Sequence, residues 1–316
     1  MNTNTSKKTG VNYIEITQAQ VGQRLDNLLF KTLKHVPKTW VYRIIRKGEV
    51  RVNKKRTRPD YKVQAGDRVR IPPLFVDRQY EAEVFIPPGL LTDIENSVLF
   101  ENPHIMVIDK PAGLAVHSGS GVSFGVIDIM RCIRPDCEIE LVHRLDRDTS
   151  GCLLLAKHRQ SLLAMQKCIQ NNSIVKVYLA VVRGLWLESK REISHALIRK
   201  TMPNGERRVY ADPQGQKALT RILDIKTGDA YSLLTIRLVT GRTHQIRAHC
   251  QIEGHEIAGD RKYGDTRFNR MMKGRGVEGL MLHATRLELP DSEFCQAMTI
   301  DAKLPPGFKG LIGSDA

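Results

Sequence analysis

The feature that most constrains the fold of this 316-residue chain is the distribution of strand-like and helix-like runs over its last two thirds. Alternating or continuous apolar runs predict strands, whereas apolar residues three and four apart predict helices. Strand patterns recur at 151–157, 174–183, 217–226, 231–239 and 281–289, and helical patterns occupy 123–134 and 160–171. Strands outnumber helices and do not alternate regularly with them. We therefore predict an α+β fold with a mostly antiparallel sheet, and not a doubly wound α/β fold.

The first part of the chain has a different pattern, which predicts a separate small domain. Apolar residues at helical spacing predict one helix within 22–35 and a second between Pro37 and Gly48. Short alternating strands follow at 50–53 and 69–71. The predicted boundaries are a disordered polar tail over 1–19, a small domain over 20–75, a linker over 76–96 and a large domain over 97–316.

Positive charge is concentrated in this first part. The chain has a net charge of +15, and residues 1–90 hold 18 Lys and Arg against 8 Asp and Glu. Residues 91–316 are closer to balance, with 31 against 26. An excess of this size indicates a polyanionic partner, either nucleic acid or an anionic membrane. The asymmetry favours a binding module followed by an enzyme-like body.

The sequence has no signal for secretion or membrane insertion. Its first ten residues are polar, unlike a signal peptide, and no run of about 18 apolar residues occurs. The six cysteines form no C-x-x-C pair, so neither a zinc ribbon nor a redox motif is predicted. We expect reduced thiols in a cytoplasmic protein that has no metal site and does not bind membranes.

The segment 143–151, HRLDRDTSG, is the strongest candidate for a catalytic loop. Polar and turn-forming residues are crowded into it, and the apolar run Cys152-Leu-Leu-Leu-Ala156 follows at once. A rigid buried strand behind a polar loop is a good mount for catalytic side chains. In an extended loop Arg144 and Asp146 would project in similar directions. From residue types alone, a surface turn with solvated charges is an equally good interpretation.

Further segments strengthen the catalytic interpretation because they resemble one family in the same order. The segments are HRLDRDTSG, Lys110-Pro-Ala-Gly113, Lys176-Val-Tyr-Leu-Ala180, Gly241-Arg-Thr-His-Gln-Ile-Arg-Ala-His249 and Met281-Leu-His-Ala284. Together they resemble the motifs of the RluA-type pseudouridine synthases over about residues 97–300. Residues 22–71 resemble an S4 RNA-binding domain.

The resemblance implies both an architecture and a reaction. The architecture is a small S4 domain followed by a catalytic domain with a large mixed, mostly antiparallel sheet flanked by helices. The reaction converts specific uridines of 23S ribosomal RNA, or of a large-subunit precursor, to pseudouridine. Product and substrate are isomers, so no cofactor is expected, and we expect a monomer.

The resemblance also assigns roles to four residues. Asp146 matches the catalytic aspartate, whose first step could be attack at C1′, addition at C6 or removal of the 2′ proton. Arg247 matches the arginine that pairs with it and keeps it ionised. Tyr178 matches a tyrosine placed against the base. Arg144 would fill the space left by a flipped-out uridine, or contact a phosphate.

Without the resemblance, the sequence supports a purely structural interpretation of two of these side chains. Tyr178 fits a core aromatic of a strand, and Arg247 an exposed arginine of a strand. On the family interpretation, Arg247→Met should leave folding intact and abolish turnover. Tyr178→Phe should bind RNA and stall before product.

A basic stretch in the first part is predicted to bind RNA phosphates, with a steep dependence on salt. Residues 43–70 contain 11 basic and 3 acidic residues. The candidates are Arg43, Arg46, Lys47, Arg51, Lys54, Lys55, Arg56 and Arg58.

Three histidines near the motifs, His143, His244 and His249, are interpreted as structural hydrogen-bonding groups. His244 and His249 are five residues apart on a predicted strand, so they would lie on opposite faces and could not share a metal. Three alternatives remain for the whole chain: a non-catalytic RNA-binding protein, a synthase that modifies tRNA, and a glycoside hydrolase. The last needs a second carboxylate near Asp146, and Asp148 is too local to supply it.

Overall fold

The computed structural model describes residues 7–8, 10–33, 36, 38–73, 75–76, 85–119 and 123–312. The chain divides into two compact units, with the division at Phe85 and Ile86. Among the described residues, no helix combines the length and the apolar character needed to cross a bilayer.

The first unit is a pair of helices packed on a small antiparallel sheet. Its central strand pairs with one strand on each side, in the order β2-β4-β3, and β1 pairs separately with β5. The elements are β1 (Lys7–Lys8), β2 (Asn12–Glu15), α1 (Leu25–Thr32), α2 (Lys38–Arg46), β3 (Arg51–Val52), β4 (Arg68–Ile71) and β5 (Phe75–Val76). Leu25 and Leu29 of α1, Ile44 and Ile45 of α2, and Val69 of β4 form its buried core.

The predicted tail over 1–19 is wrong for the residues that the structure describes after Gly10. Residues 12–15 form β2, which pairs with β4 along its whole length. Ile16 is buried in the core of the unit. The polar composition of this segment hid a strand that is anchored by backbone hydrogen bonds and one apolar side chain. Residues 1–6 and 9 of the predicted tail lie outside the described part of the chain.

The second unit is built on a ten-stranded mixed sheet. Its main path runs β11-β14-β15-β10-β16-β9-β7-β6, with β17 paired to β16 and β8 paired to β9. The strands are β6 (Val98–Glu101), β7 (Ile105–Lys110), β8 (Glu140–Leu141), β9 (Ser150–Ala156), β10 (Val175–Arg183), β11 (Glu192–Ile193), β14 (Thr220–Thr227), β15 (Tyr231–Leu238), β16 (Leu282–Leu289) and β17 (Met298–Asp301). A separate hairpin consists of β12 (Leu197–Thr201) and β13 (Arg207–Ala211).

Both faces of the sheet are covered, and the side-chain alternation of its strands shows this. Along β9, Leu153 and Leu155 enter one apolar cluster, while Cys152 and Leu154 enter another on the opposite face. Helices supply the other side of each cluster. They are α3 (Pro88–Asn96), α4 (Val126–Ile133), α5 (Arg159–Gln170), α6 (Gln245–Ile252), α7 (Thr266–Gly274) and α8 (Pro306–Ile312).

One contact explains how two strands of the centre run side by side in the same direction. The pair β9 with β16 is parallel, and the other strand pairs that the structure describes in this sheet are antiparallel. Gly151 has φ of +105°, and a Cβ there would lie 2.2 Å from the carbonyl oxygen of Ala284. Only glycine permits this approach. It fixes the start of β9, directly after the candidate catalytic loop.

The predicted linker over 76–96 is wrong in its second half. Residues 88–96 form α3, and Ile94 of this helix is fully buried in the core of the second unit. Pro88 stands in its first turn, a position where proline favours a helix because the missing N–H has no partner there. The prolines that suggested a linker therefore mark a helix start. Residues 77–84 lie outside the described part of the chain.

Candidate active site

The candidate catalytic loop lies between β8 and β9, as the sequence predicts. Leu145 is buried and anchors it from below. The backbone N–H of Thr149 donates to the carbonyl of Asp146 at 3.2 Å, which closes a tight turn around the aspartate. The backbone N–H of Gly113 donates to the carbonyl of Arg147 at 2.9 Å. The loop is therefore fixed on both sides of Asp146, and the aspartate side chain is presented from a rigid support.

Lys110 holds the same loop from inside the fold. Its fully buried Nζ donates to the carbonyl oxygens of Pro111, Leu114 and Arg147, at 2.7, 2.9 and 2.9 Å. Burial lowers the pKa of Lys110 to about 7, against the raising effect of the Asp148 and Asp146 charges. Three carbonyl acceptors match the three donors of an ammonium group. The lysine of the Lys-Pro-Ala-Gly motif thus acts as a structural clamp for the loop.

Arg247 pairs with Asp146, as the family resemblance implies, but it lies on a helix. Its Nη1 donates to Asp146 Oδ2 at 3.0 Å. The predicted strand is wrong, because residues 245–252 form α6. The helix starts where the Gln245 side chain accepts the N–H of Arg242 at 3.0 Å. Residues 245–250 are all buried, so the segment has no polar face from which a helical period could be read.

The remaining nitrogens of Arg247 bind a second carboxylate, which the sequence analysis did not identify. Nε donates to Asp260 Oδ2 at 2.8 Å and Nη2 to Asp260 Oδ1 at 2.9 Å, a bidentate pair. Burial alone would lower the pKa of Arg247, but Asp260 and Asp146 raise it overall. The guanidinium therefore stays charged in an almost dry position, where its side chain is 7% exposed.

Asp260 is saturated with hydrogen bonds. Its side chain is 0% exposed, and it accepts from Arg247 and from the backbone N–H groups of Lys262 and Tyr263 at 2.8 and 3.0 Å. Burial tends to raise the pKa of Asp260, but Arg247 and these N–H groups lower it overall. Because its oxygens are occupied and sealed from solvent, Asp260 cannot act as the second acid of a hydrolase.

Asp146 is the opposite kind of carboxylate. Its side chain is 18% exposed, and its direct hydrogen bond among the described residues is the one from Arg247. The imidazole of His244 lies further away, with Nε2 at 3.9 Å from Asp146 Oδ1. Burial lowers the pKa of His244, and the charge of Arg247 lowers it too, against the Asp146 charge. Asp146 therefore presents to the cleft an oxygen that no strong donor blocks.

Tyr178 lies on β10, as predicted, and lines the same cleft as Asp146. Burial raises the pKa of Tyr178, and the charge of Asp146 raises it further. The phenol is thus neutral near pH 7 and close enough to respond to the carboxylate. Apolar side chains of Leu145, Leu238 and Leu282 complete the walls. A carboxylate beside a ring and apolar side chains, with polar groups around them, suits a flat ligand that also carries polar atoms.

Arg144 stands at the mouth of this cleft. Its side chain is exposed, and it lines the cleft together with Arg242. Two exposed guanidinium groups at the opening of the cleft can contact the phosphates of a nucleotide while its base lies inside the cleft. The structure thus brings Asp146, Arg247, Tyr178 and Arg144 together at one place.

Besides Asp260, two further residues of the site were not recognised from the sequence as functional. His244 was interpreted as structural, yet it lines the cleft beside Asp146, and its Nδ1 lies 2.9 Å from the hydroxyl of Tyr263. Tyr263 also accepts the N–H of Val209 at 2.9 Å and packs under the guanidinium of Arg247, 5.1 Å from its ring centre. It connects the β12–β13 hairpin to the site. His244 has φ of +50°, which a sequence pattern does not reveal.

The other two histidines have the structural roles that were predicted. His143 Nε2 accepts the N–H of Leu154 at 3.1 Å. His249 is buried and lies 2.9 Å from the hydroxyl of Thr220 and 3.1 Å from the carbonyl of His195. The described residues hold no cluster of three or more His, Cys, Asp or Glu side chains that is arranged for a metal.

The predicted RNA-binding residues lie in the first unit and are all exposed. They divide between two places. One set is on or just after α2, and another lies at β3 and the turn that follows it. The α2 set is Arg43, Arg46 and Lys47, and the second set is Arg51, Lys54, Lys55, Arg56 and Arg58. Their contact with RNA stays a prediction.

Comparison with known protein families identifies both units. The family described as RNA pseudouridylate synthase matches residues 104–252, and the S4 domain matches residues 23–69. The ribosomal large subunit pseudouridine synthase C of Pasteurella multocida (strain Pm70) is 43% identical over 305 residues, covering 96% of this chain and 94% of that protein. The protein of the same name from Escherichia coli (strain K12) is 44% identical over 305 residues and covers 95% of each chain.

Two solved structures have a similar fold over the second unit's length. Human RNA pseudouridylate synthase domain containing 1 superposes with a TM-score of 0.56 at 26% identity, covering 70% of this chain and 87% of that one. Human RNA pseudouridylate synthase domain containing 4 gives a TM-score of 0.57 at 24% identity, covering 70% and 93%. The predicted fold class is confirmed. A small N-terminal domain is followed in the sequence by a domain with a large mixed sheet.

Proposed function

Because the chain belongs to the RNA pseudouridylate synthase family, we propose that it converts specific uridines of 23S ribosomal RNA to pseudouridine, with Asp146 as the reactive carboxylate. The observation that carries the proposal is the asymmetry of the two carboxylates on Arg247. Asp260 is sealed and saturated, whereas Asp146 keeps an oxygen open to the cleft.

The chemistry requires one carboxylate and no second acid. In the reaction the C1′–N1 bond breaks, the base turns, a C1′–C5 bond forms, the C5 proton leaves and N1 gains a proton. The uracil is recaptured and not lost to water, so atoms balance without a cofactor. A carboxylate held by a buried arginine is suited to act on the ribose or the base of a nucleotide in the cleft. The reaction therefore runs on the side chains of this chain alone.

Tyr178 is proposed to stack on the flipped base and to take part in the final proton transfer. A ring against a base contributes about 1–3 kcal/mol. Because its pKa is raised, the phenol stays protonated, and a neutral phenol oxygen is a weak base. It can take the proton from C5 only while it passes its own proton to Asp146, the charge to which it responds. Arg144 at the mouth is proposed to occupy the space that the uridine leaves, or to hold its phosphate.

The substrate assignment is supported by the relatives, whose names place their action on the large ribosomal subunit. The excess of positive charge in the first unit suits an RNA partner. We propose that the chain acts in the cytoplasm as a monomer, on 23S RNA or its large-subunit precursor.

Mapping pseudouridine across all RNA of cells that lack this chain tests the proposal. We expect loss at a small number of 23S positions, restored by the wild-type chain and not by Asp146→Asn. Loss confined to tRNA would replace the substrate. An unchanged map would overturn the enzymatic proposal in favour of a non-catalytic RNA-binding role.

A further inference from the structure

The sheet of the first unit has an outer face that holds one predicted RNA-binding residue, Arg51, beside residues that the proposed function leaves unexplained. The inner face carries Ile14, Val69 and Val52, which pack toward the helices. The outer face carries the alternate residues of the same strands. Those residues are Tyr13 and Glu15 of β2, Arg68 and Arg70 of β4, and Arg51 at the start of β3. An outer sheet face in water normally carries mixed polar residues, whereas this one has three arginines beside an exposed ring.

The strand register places the key residues in one row. Arg70 is opposite Tyr13 on one side and opposite Arg51 on the other. Directly opposite residues of an antiparallel pair have their Cβ atoms about 5 Å apart on the same face. The ring and the two guanidinium groups are therefore neighbours across three strands.

Tyr13 is an aromatic residue whose side chain is largely open to solvent. Its side chain sits on the open face with 49% of the residue accessible. The guanidinium of Arg68 lies over its ring, 4.2 Å from the centroid. A ring with a guanidinium plane stacked on it is the arrangement on which unpaired bases stack in single-stranded RNA recognition. Tyr13 also lies before residues 23–69, the segment that matches the S4 domain.

The arginines beside the ring are held in place by the backbone. Arg70 Nη1 donates to the carbonyl of Glu49 at 2.7 Å, and Arg51 Nε donates to the carbonyl of Gly48 at 3.3 Å. A guanidinium has five N–H groups. This bond fixes the position of each guanidinium and leaves most of its donors for phosphate oxygens.

A two-residue turn adds a fourth cation. Asn53 and Lys54 have φ of +50° and +68°, the left-handed values of a tight hairpin turn. The Asn53 side chain donates to Asp67 at 2.7 Å and accepts the N–H of Arg68 at 2.8 Å, which pins the turn to β4. Lys54 is thereby held at the rim of the face.

These residues enclose a surface groove of about 590 Å³. It is lined by Tyr13, Arg51, Asn53, Lys54, Arg68 and Arg70. Four of the six are cations and none is an anion. Glu15 is the acidic residue of the same face, opposite Arg68 in the register.

We propose that this groove binds an unpaired nucleotide of RNA, with the base stacked against Tyr13 and Arg68 and the flanking phosphates on Arg51, Lys54 and Arg70. The site is separate from the cleft of Asp146 and from the cations of α2. It rests on the proposed function only in taking RNA as the ligand. A single-stranded segment fits because a paired base cannot present its face to the ring.

Binding of two short RNAs to the full chain tests the groove. One is a 12-nucleotide single strand of adenosine and cytidine, which contains no uridine and cannot react. The other is a blunt duplex of similar length. Fluorescence anisotropy gives the affinity for each. We expect Tyr13→Ala to weaken single-strand binding at least about fivefold, from the stacking that one base contributes, and duplex binding less than twofold.

Matched variants separate stacking from charge and from misfolding. Tyr13→Phe keeps the ring and should bind like the wild type. Arg70→Gln should weaken binding and reduce the slope of log affinity against log salt by about one. Lys226→Gln removes an exposed charge from β14, outside the basic stretch 43–70, and should change single-strand binding less than twofold.

Three outcomes would overturn the inference. They are Tyr13→Ala binding within twofold of the wild type, equal losses for single strand and duplex, and an equal loss in Tyr13→Phe. Because the probe has no uridine, the result does not depend on turnover. A chain that shows the Tyr13 effect but makes no pseudouridine would refute only the proposed function.

Discussion

The loop that carries Asp146 and the turn that carries Asp260 each place an aspartate against Arg247, yet the surroundings of the two carboxylates are opposite. The Asp260 turn contributes a dry carboxylate whose oxygens are all occupied. The Asp146 loop contributes a partly exposed one with a single direct bond from Arg247. A carboxylate whose oxygens are all hydrogen-bonded is suited to hold a cation in place. A carboxylate that reacts with a substrate needs an oxygen that is free. The difference between the two is thus a difference in unused hydrogen-bonding capacity, and it supports the proposal that Asp146 is the carboxylate that meets the substrate.

Removing the arginine should break both regions at once. Arg247→Met leaves Asp260 buried without its counter-charge, which costs about 3–5 kcal/mol of unfolding free energy. Turnover should fall about 1,000-fold or more, because Asp146 loses the donor that binds it directly among the described residues. The structure therefore revises the sequence-based expectation that this variant folds normally. Urea unfolding followed by the buried Trp186, with single-turnover assays, measures both.

Arg247→Lys is the matched control for that variant. A lysine keeps the charge but cannot bind one carboxylate through two nitrogens while it donates to the other. It should recover part of the stability and little of the turnover. If Arg247→Met unfolds at wild-type urea concentrations, the Asp260 turn is not the support described above.

Tyr178→Phe tests the reactive side of the comparison alone. The ring and its stacking remain, so RNA affinity should change less than about twofold. Turnover should fall about 100-fold, within the range that a proton-transferring group contributes. Gel-shift affinity and single-turnover rates on the same RNA fragment measure the two quantities. A normal rate would exclude the hydroxyl from the reaction.

Asp260→Asn tests the supporting side. The unfolding free energy should fall by about 3 kcal/mol, because a buried bidentate ion pair is broken. Turnover should fall about 10- to 100-fold, the usual cost of losing a partner that orients a reactive group's ligand. Asp148→Asn is the control, since Asp148 lies in the catalytic loop but pairs with Arg147 at the surface. It should be close to wild type in both measurements.

The stability of the strand that follows the catalytic loop should also depend on pH. His283 is fully buried with its Nδ1 2.9 Å from the hydroxyl of Ser150, the first residue of β9. Burial lowers the pKa of His283 to about 4, from 6.5. The unfolded chain therefore binds the proton first, and stability that is present above pH 6.5 is lost as the pH falls toward 4.

Between pH 7.5 and 5 this single group should cost about 2 kcal/mol of unfolding free energy. Urea unfolding followed by Trp186 fluorescence at the two pH values measures the loss. His283→Gln carries no titrating group, so its own loss over this interval should be smaller by that amount. Equal losses in variant and wild type would show that His283 is not held neutral.

The fold was predictable where apolar residues set a clear period. The strands that became β9, β10, β14, β15 and β16, and the helices α1, α2, α4 and α5, were predicted to within about three residues at most ends. Helix α6 was missed because both polar and apolar residues of it are buried. Helix α3 and strand β2 were missed because prolines and polar residues suggested a linker and a tail.

The site was predictable only as far as its motifs reach. Asp146, Tyr178, Arg247 and Arg144 came from the family resemblance, and residue types alone left them open. Asp260 lies outside those motifs, and its role follows from a contact 13 residues along the chain from Arg247. The preceding residue must be a glycine, because a Cβ at Gly259 would lie 1.8 Å from the carbonyl oxygen of Gly279. Such packing constraints are not visible without the structure.

Joining C5 to C1′ expels the hydrogen at C5, so release of tritium from 23S RNA labelled at that position of its uridines counts each turnover. The most direct test is this release by purified Asp146→Asn set beside wild type and Asp260→Asn, with excess enzyme. We predict stoichiometric release by the wild type, slower release by Asp260→Asn, and none above background by Asp146→Asn although it folds normally. Release by Asp146→Asn at the wild-type rate would contradict the assignment of the open carboxylate as the reactive one.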